Sequence, residues 1–131
     1  MAFREWANVT PFKFSHVQGP HPGLAHISIS FEVGKHGDSE DFTPDGPLAH
    51  SFGPPIGIIH FNGEMGWAHD GDSYYSFDIK SVALHEIGHL LGLNHSADRL
   101  AIMFPTFDRG EIRRIHQDDV NGIYHLYGFE N

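Results

Sequence analysis

The stretch HEIGHLLGLNH, residues 85–95, constrains the fold more than any other part of the chain. His85 and His89 are four residues apart, so they would share one face of a helix. Gly92 tolerates a positive φ and can end that helix with a sharp turn, which would bring His95 back toward the first two histidines. A core helix has no need of three histidines, so this part of the chain is expected to enclose a ligand.

Three converging histidines predict a zinc site. A tetrahedral site with three neutral imidazoles keeps a fourth position open for water, as catalytic zinc sites do. Glu86 would lie beside the ion, where its carboxylate can accept a proton from a water whose pKa zinc lowers to about 7. Incidental helix histidines are the alternative, but the full H-E-x-x-H-x-x-G-x-x-H spacing is a specific signature. Met103 supplies the methionine turn that accompanies this pattern.

Composition excludes several other classes of protein. A net charge of -9 and a pI near 5.6 argue against nucleic acid and anionic membranes as partners. The absence of cysteine excludes disulfides, thiolate zinc sites and cysteine nucleophiles. No apolar run approaches the ~18 residues that would span a bilayer. MAFREWANVT has no apolar segment typical of a secretory signal, so we expect any signal to lie upstream.

The hydrophobic pattern predicts an α+β chain of 131 residues folded as one domain, with strands mostly first and helices mostly later. Asp78 is a plausible N-cap for the helix that carries the histidines, and Gly92 its C-terminal stop. Predicted helices cover residues 2–9, 79–91 and 118–128; predicted strands cover 10–17, 24–33, about 48–52 and 56–62; and polar loops cover most of 36–58 and 62–76.

The chain resembles the catalytic domain of the matrixins, within the metzincin zinc peptidases. Beyond the zinc motif, the resemblance rests on Ser96 directly after the third histidine, which disfavours an astacin-like enzyme. It also rests on the stretches AFREWANVTPFKF, KHGDSEDFTPDGPLAHSF and IMFPTFDRGEIRRIHQDDVNGIYHLYG. The sequence most resembles those of plant and bacterial members. The resemblance implies a zincin fold over residues 1–131, with a twisted mixed sheet, an active-site helix and a C-terminal helix.

A second zinc ion is implied by the same resemblance, held by His36, Asp38, His50 and His60. Three histidines and one carboxylate would make a closed four-coordinate site, although without the resemblance these residues would be read as unrelated polar side chains. The remaining six histidines are expected at the surface or in hydrogen bonds: His16, His21, His26, His69, His116 and His125.

The chain departs from the family at its calcium sites. Asp45 and Gly46 match part of one site, but Asn62 and Met65 stand where its later carboxylates are expected. Glu64 could substitute for one of them, but calcium needs several hard oxygens and a methionine offers none. The other calcium site has a histidine and an isoleucine in place of carboxylates. We therefore expect calcium at one site at most.

A second departure lies at the start of the sequence. The family domain has a strand and most of a long helix before the stretch matching AFREWANVT, and an inhibitory propeptide, and none of these is present here. An exposed sheet edge can pair with another chain, so lowered stability or self-association is expected. A clean monomer with a high melting temperature would contradict that.

By resemblance, the chain is expected to be a secreted zinc endopeptidase that cleaves extended protein substrates and is subject to protein inhibitors. Glu86 would act as general base, and substrate would lie antiparallel to Leu48, Ala49 and His50. The alternative is a non-catalytic, zinc-stabilised binding domain derived from a matrixin.

The resemblance also implies residues for specificity and support. Pro105, Thr106 and Phe107 would form the wall of the pocket for the residue that follows the cut. Ser81 would limit the depth of that pocket; because serine is short, we expect a preference for Leu, Met or an aromatic residue there.

Met103 would form an apolar floor under the histidines. Asp118 and Asp119 are open to two interpretations, as partners of the helix dipole or as anchors of the methionine turn: the sequence does not decide between them.

Overall fold

A mixed β-sheet and the helix that follows it set the geometry of the site. The structure, a computed structural model, describes residues 1–19 and 25–129. Its helices are α1 (Ala2–Val9), α2 (Ile79–Leu90) and α3 (Gln117–Tyr127); its strands are β1 (Ser28–Glu32), β2 (Ala49–Phe52), β3 (Ile58–Asn62), β4 (Trp67–Ala68) and β5 (Phe77–Asp78). The predicted α+β class is confirmed.

The three longer strands form a sheet in the order β1-β3-β2. β1 runs parallel to β3 and β2 runs antiparallel to it, which confirms the predicted mixed sheet. His50 on β2 lies directly opposite His60 on β3, so the pairing register brings two distant histidines together. β2 is an edge strand among the described residues, and its free edge faces the cleft described below.

Helix α2 begins and ends where local sequence signals place it. The Asp78 side chain caps the helix by accepting a hydrogen bond from the Ser81 N–H at 2.8 Å. At the other end Gly92 has a φ of 98°, a left-handed conformation that glycine adopts without steric cost. The predicted cap and stop are confirmed, with the helix one residue shorter than expected.

The core lies between the three helices, the sheet and the segment that follows α2. Its buried residues include Trp6, Ile87, Ile102 and Ile123, each 0–1% exposed. The Trp6 indole N–H donates to the carbonyl of Leu84 at 2.9 Å, so α1 is joined to α2 by a buried hydrogen bond as well as by packing. Burying these apolar surfaces is the main favourable term that holds the site's elements in place.

Two parts of the secondary-structure prediction are wrong. The segment 10–17, predicted as a strand, makes no strand pairing within the described residues. Its alternating aromatics Phe12 and Phe14 instead pack with Phe3, Tyr127 and Phe129, because the helices and not a neighbouring strand supply their apolar partners. The predicted loop 62–76 contains β4, which pairs in parallel with β5 over two residues.

No helix in the described part of the chain is long and apolar enough to cross a membrane.

Candidate metal centres and active site

The first cluster consists of His85, His89 and His95. The Nε2 atom of His89 lies 3.1 Å from that of His85 and 3.2 Å from that of His95. A tetrahedral zinc ion with bonds of about 2.0–2.1 Å holds its nitrogens about 3.3 Å apart. The three nitrogens are therefore spaced as ligands of one small ion.

Backbone carbonyls fix which ring nitrogen of each helical histidine is free. His85 Nδ1 lies 2.8 Å from the Ile102 carbonyl, and His89 Nδ1 lies 2.8 Å from the Leu93 carbonyl. A carbonyl oxygen can only accept, so each Nδ1 must carry the proton and each Nε2 presents its lone pair to the cluster. Partners of this kind orient the ligands of metal sites.

Support beneath the first cluster comes from Met103, Gly88 and Asp119. Met103 is 2% exposed, and a Cβ atom added to Gly88 would lie 2.3 Å from its sulfur. Glycine at this point of α2 therefore allows the methionine to approach the helix between His85 and His89. The Asp119 carboxylate accepts hydrogen bonds from the backbone N–H groups of residues 102 and 103 at 2.8 and 3.0 Å, which makes it an anchor of the methionine turn.

The second cluster consists of His36, Asp38, His50 and His60. The Asp38 Oδ2 atom lies 2.9–3.0 Å from one ring nitrogen of each of the three histidines. All four ligand atoms lie within 4.8 Å of one another. Three imidazoles and a carboxylate that converge on one point match the donor set of a closed zinc site.

Neighbouring groups shift the proton affinities of His36 and Asp38 in the second cluster. His36 Nδ1 lies 2.8 Å from the Gly34 carbonyl, an interaction that raises the pKa of His36. Desolvation opposes ionisation of Asp38, but the hydrogen bonds that its carboxylate accepts from the Glu40 N–H, His50 and His60 hold its pKa at about 2. Asp38 is thus an anion at any physiological pH.

An open cleft of about 710 Å³ runs past the first cluster, within the volume range of ligand sites. One side is formed by residues 46–51, which include the free edge of β2; the other is formed by Pro105, Thr106 and Phe107. The first cluster and Glu86 lie between the two sides. The arrangement fits an extended chain lying between an edge strand and the wall opposite.

Comparison with known proteins identifies the family of this chain. The sequence profile of the Matrixin family matches residues 1–128. This chain belongs to the matrixin family. It is 42% identical to "Metalloendoproteinase 5-MMP" of Arabidopsis thaliana, 41% to "Interstitial collagenase" of Oryctolagus cuniculus and 43% to "Macrophage metalloelastase" of the same species. Each alignment covers 97% of this chain but only 27–38% of the relative, so the chain spans well under half of their length.

Burial sets the proton affinities of this matrixin's candidate catalytic groups. Desolvation raises the pKa of Glu86 to about 7; a hydrogen bond from Ser51 opposes the rise and the Glu40 carboxylate adds to it. Desolvation also lowers the pKa of His85 to about 4 and lowers that of His89. Both histidines are therefore neutral, the form that binds a metal, at neutral pH.

Ser81 does not line the cleft. It is 1% exposed and lies beneath the cleft, where its Oγ donates to Asp78 Oδ2 at 2.7 Å and accepts from the Arg113 N–H at 2.9 Å. Leu48, Ala49 and the three wall residues, by contrast, all line it. The sequence pattern missed Arg113, because a charged residue in a polar-looking segment gives no local sign that it is buried.

At the expected calcium site, the Asn62 side chain is hydrogen-bonded to the loop that carries Asp45 and Gly46. The side chain is 0% exposed, and its NH₂ group donates to the carbonyls of Thr43 and Pro47 at 2.9 and 3.0 Å. Loop oxygens beside Asp45 and Gly46 are thus already bound to a protein donor. The sequence shows that a carboxylate is missing at position 62, but the donor role of the amide appears only in the tertiary structure.

The other histidines fall into two groups. His16, His26, His69 and His125 are exposed, as expected. His116 is the N-cap residue of α3, and its backbone N–H donates to the Asp119 carboxylate at 2.8 Å. His21 lies outside the described residues.

Proposed function

We propose that this matrixin is a zinc endopeptidase with its active centre at the first cluster. One observation carries the proposal: three imidazole Nε2 atoms converge in an open cleft beside Glu86, a buried carboxylate. Ligands for one ion, an adjacent proton acceptor and room for an extended chain are the requirements of metal-assisted peptide hydrolysis. Residues 1–131 would form one catalytic domain.

Two zinc ions are proposed for each chain. His85, His89 and His95 would hold the catalytic ion, and the second cluster would hold a structural one. When bound at the first cluster, zinc supplies a Lewis acid that polarises the scissile carbonyl and lowers the pKa of a water to about 7.

The proton transfers fall to Glu86. Its carboxylate takes a proton from the attacking water and then delivers that proton to the amine of the departing product. Desolvation raises the pKa of Glu86 to about 7 and a bound cation would lower it, so the carboxylate would be ionised at neutral pH and able to accept a proton. Met103 forms the apolar floor beneath the ligands.

The substrate would add as an antiparallel strand to the free edge of β2. Its main chain would pair with residues 48–50, and the residue that follows the cut would enter the space beside Pro105, Thr106 and Phe107. Val82 and Phe107 give that space apolar surface, which favours a large hydrophobic residue such as Leu or Met. Ser81 would leave room for such a residue because it is small and lies beneath the cleft.

The experiment uses a quenched fluorescent peptide with Gly-Leu at the cut, incubated with wild type, Glu86→Ala and the near-isosteric Glu86→Gln. Zinc is measured in all three proteins. We expect about two zinc ions in each, with cleavage lowered by at least ~10²–10⁴-fold in both variants. Loss of zinc in Glu86→Gln would make Glu86 a ligand and contradict its proposed role.

The competing function is a non-catalytic, zinc-stabilised binding domain. Wild type that holds zinc but cleaves no peptide would favour it. The unobstructed cleft beside the first cluster favours the enzyme. By family membership we also propose an extracellular protein with protein or peptide substrates and protein inhibitors as partners.

A further inference from the structure

We infer that Arg113 is a positioning residue that fixes residues 104–107, here called the wall segment, and thereby determines selectivity for the size of the residue after the cut. The inference rests on the proposed endopeptidase function. Arg113 is 8% exposed and lies behind the wall segment, outside the residues that line the cleft.

The guanidinium holds the backbone of the wall segment directly. Arg113 Nη1 donates to the Phe104 carbonyl at 3.0 Å, and Nη2 donates to the Thr106 carbonyl at 2.7 Å. Two carbonyls two residues apart are thus tied to one rigid planar group, so the Phe104–Pro105 and Thr106–Phe107 peptide planes cannot rotate independently. Hydrogen bonds from a charged donor are about twice as strong as neutral ones.

The same group also holds the aromatic side chain of the wall. The Arg113 Cζ atom lies 4.3 Å from the centroid of the Phe107 ring, within range of a cation–π interaction. Phe107 in turn packs against His85 with ring centroids 5.6 Å apart and an interplanar angle of 84°. The position of Phe107 is therefore set from behind by Arg113 and from the side by a residue of the first cluster.

Arg113 is itself fixed by its neighbours. Its backbone N–H donates to Ser81 Oγ on α2 at 2.9 Å, which joins the residue to the helix one turn before His85. Its Nε and Nη2 atoms donate to Glu111 Oε1 at 3.0 and 2.6 Å. The charge is therefore paired, and the planar fork is held in one orientation relative to the cleft.

A buried guanidinium, paired with the half-buried Glu111 carboxylate, is a costly way to fill space, since apolar residues of similar volume are often as stabilising or more so. What an apolar residue could not supply is the pair of hydrogen bonds to the Phe104 and Thr106 carbonyls. The wall segment is otherwise exposed at Pro105 and Thr106, so without Arg113 it would have to be ordered by the substrate. That ordering would reduce the affinity gained from a large side chain.

The test compares Arg113→Met with Arg114→Met, a matched control that removes the same charge from the exposed neighbouring arginine. Two peptides differ only in Leu or Ala after the cut, and kcat and KM are measured for each. Exchange of the Thr106 and Phe107 amide hydrogens is followed in the same proteins.

We expect Arg113→Met to lower kcat/KM for the Leu peptide by about fivefold or more relative to the Ala peptide, with faster exchange at Thr106 and Phe107. Arg114→Met should keep the wild-type ratio. Should Arg113→Met fail to fold, Arg113→Lys, which keeps the charge but not the planar fork, and Glu111→Gln replace it, with the same direction of change expected.

An unchanged Leu-to-Ala ratio in these variants would overturn the inference while leaving the endopeptidase function intact, and so would an equal loss on both peptides. Wild type that holds zinc and cleaves neither peptide would instead overturn the proposed function, and the inference would fall with it.

Discussion

At the scale of single residues, the role proposed for Glu86 depends on where the fold places its carboxylate. The residue is 6% exposed, and desolvation raises its pKa to about 7. Its neighbour in sequence, His85, has its pKa lowered to about 4 by the same cause. The same burial thus lets Glu86 take up a proton near neutral pH and keeps His85, a proposed metal ligand, unprotonated.

The pH dependence follows from these two shifts. In the proposed mechanism Glu86 must be ionised to act as a base, so kcat/KM should fall as the pH drops, with a midpoint below 7 because a nearby cation lowers a carboxylate pKa. The lowered pKa values of His85 and His89 should let the ligands stay neutral after Glu86 has begun to protonate. Activity measured from pH 8 to 5 should therefore decline before the zinc of the first cluster is lost. Activity that still rises toward pH 5 would contradict this.

At the scale of elements, the loop before β2 is held to β3 by Asn62. The orientation of the amide follows from its partners, with two carbonyls on one side and the Glu64 N–H, 3.0 Å from Asn62 Oδ1, on the other. A neutral donor therefore joins backbone oxygens that a cation could otherwise have bound. The loop also forms one side of the cleft through Gly46 and Pro47.

Substituting Asn62→Asp should convert this interaction into a cation site. In buffer that contains zinc but no calcium, the variant should lose about 2–4 kcal/mol of stability relative to wild type, because a carboxylate would face two carbonyl oxygens. Added calcium should restore much of that loss, since carboxylate and carbonyl oxygens are its preferred ligands. Wild type should show no change in melting temperature with calcium, and a rise of several degrees would contradict the role given to Asn62.

At the scale of the whole molecule, the second cluster joins elements that are distant in the chain. His36 and Asp38 come from the loop after β1, whereas His50 and His60 lie on β2 and β3. An ion bound there would fasten that loop to the sheet. The bound ion would thereby stabilise the side of the cleft that includes Glu40.

Removal of metal should therefore weaken the whole fold and not only the active centre. Chelation should lower the melting temperature by about 10 °C or more. An ion whose free concentration is far above its Kd adds several kcal/mol to the free energy of unfolding, and chelation removes that contribution. Asp38→Asn should release the zinc of the second cluster first, while Asp41→Asn, an exposed neighbour, serves as the control. Equal zinc retention in the two variants would exclude Asp38 as a ligand.

Local patterns determined much of this protein. The cap at Asp78, the stop at Gly92 and the four-residue spacing of His85 and His89 each depend on neighbours within one or two turns, so the sequence alone predicts helix α2 and its histidine pair. The mixed sheet and the histidines of the second cluster followed from the resemblance of the whole chain, not from spacing.

Contacts between distant residues decided the rest. Segment 10–17 alternates like a strand, yet its aromatics pack on helices, and only the tertiary structure shows which partner is available. Ser81 meets Arg113 across 32 positions, and Asn62 meets Thr43 across 19. Polar side chains look alike in a sequence whether solvated or buried, because the free energy of burial depends on hydrogen-bond partners that only the folded chain brings together.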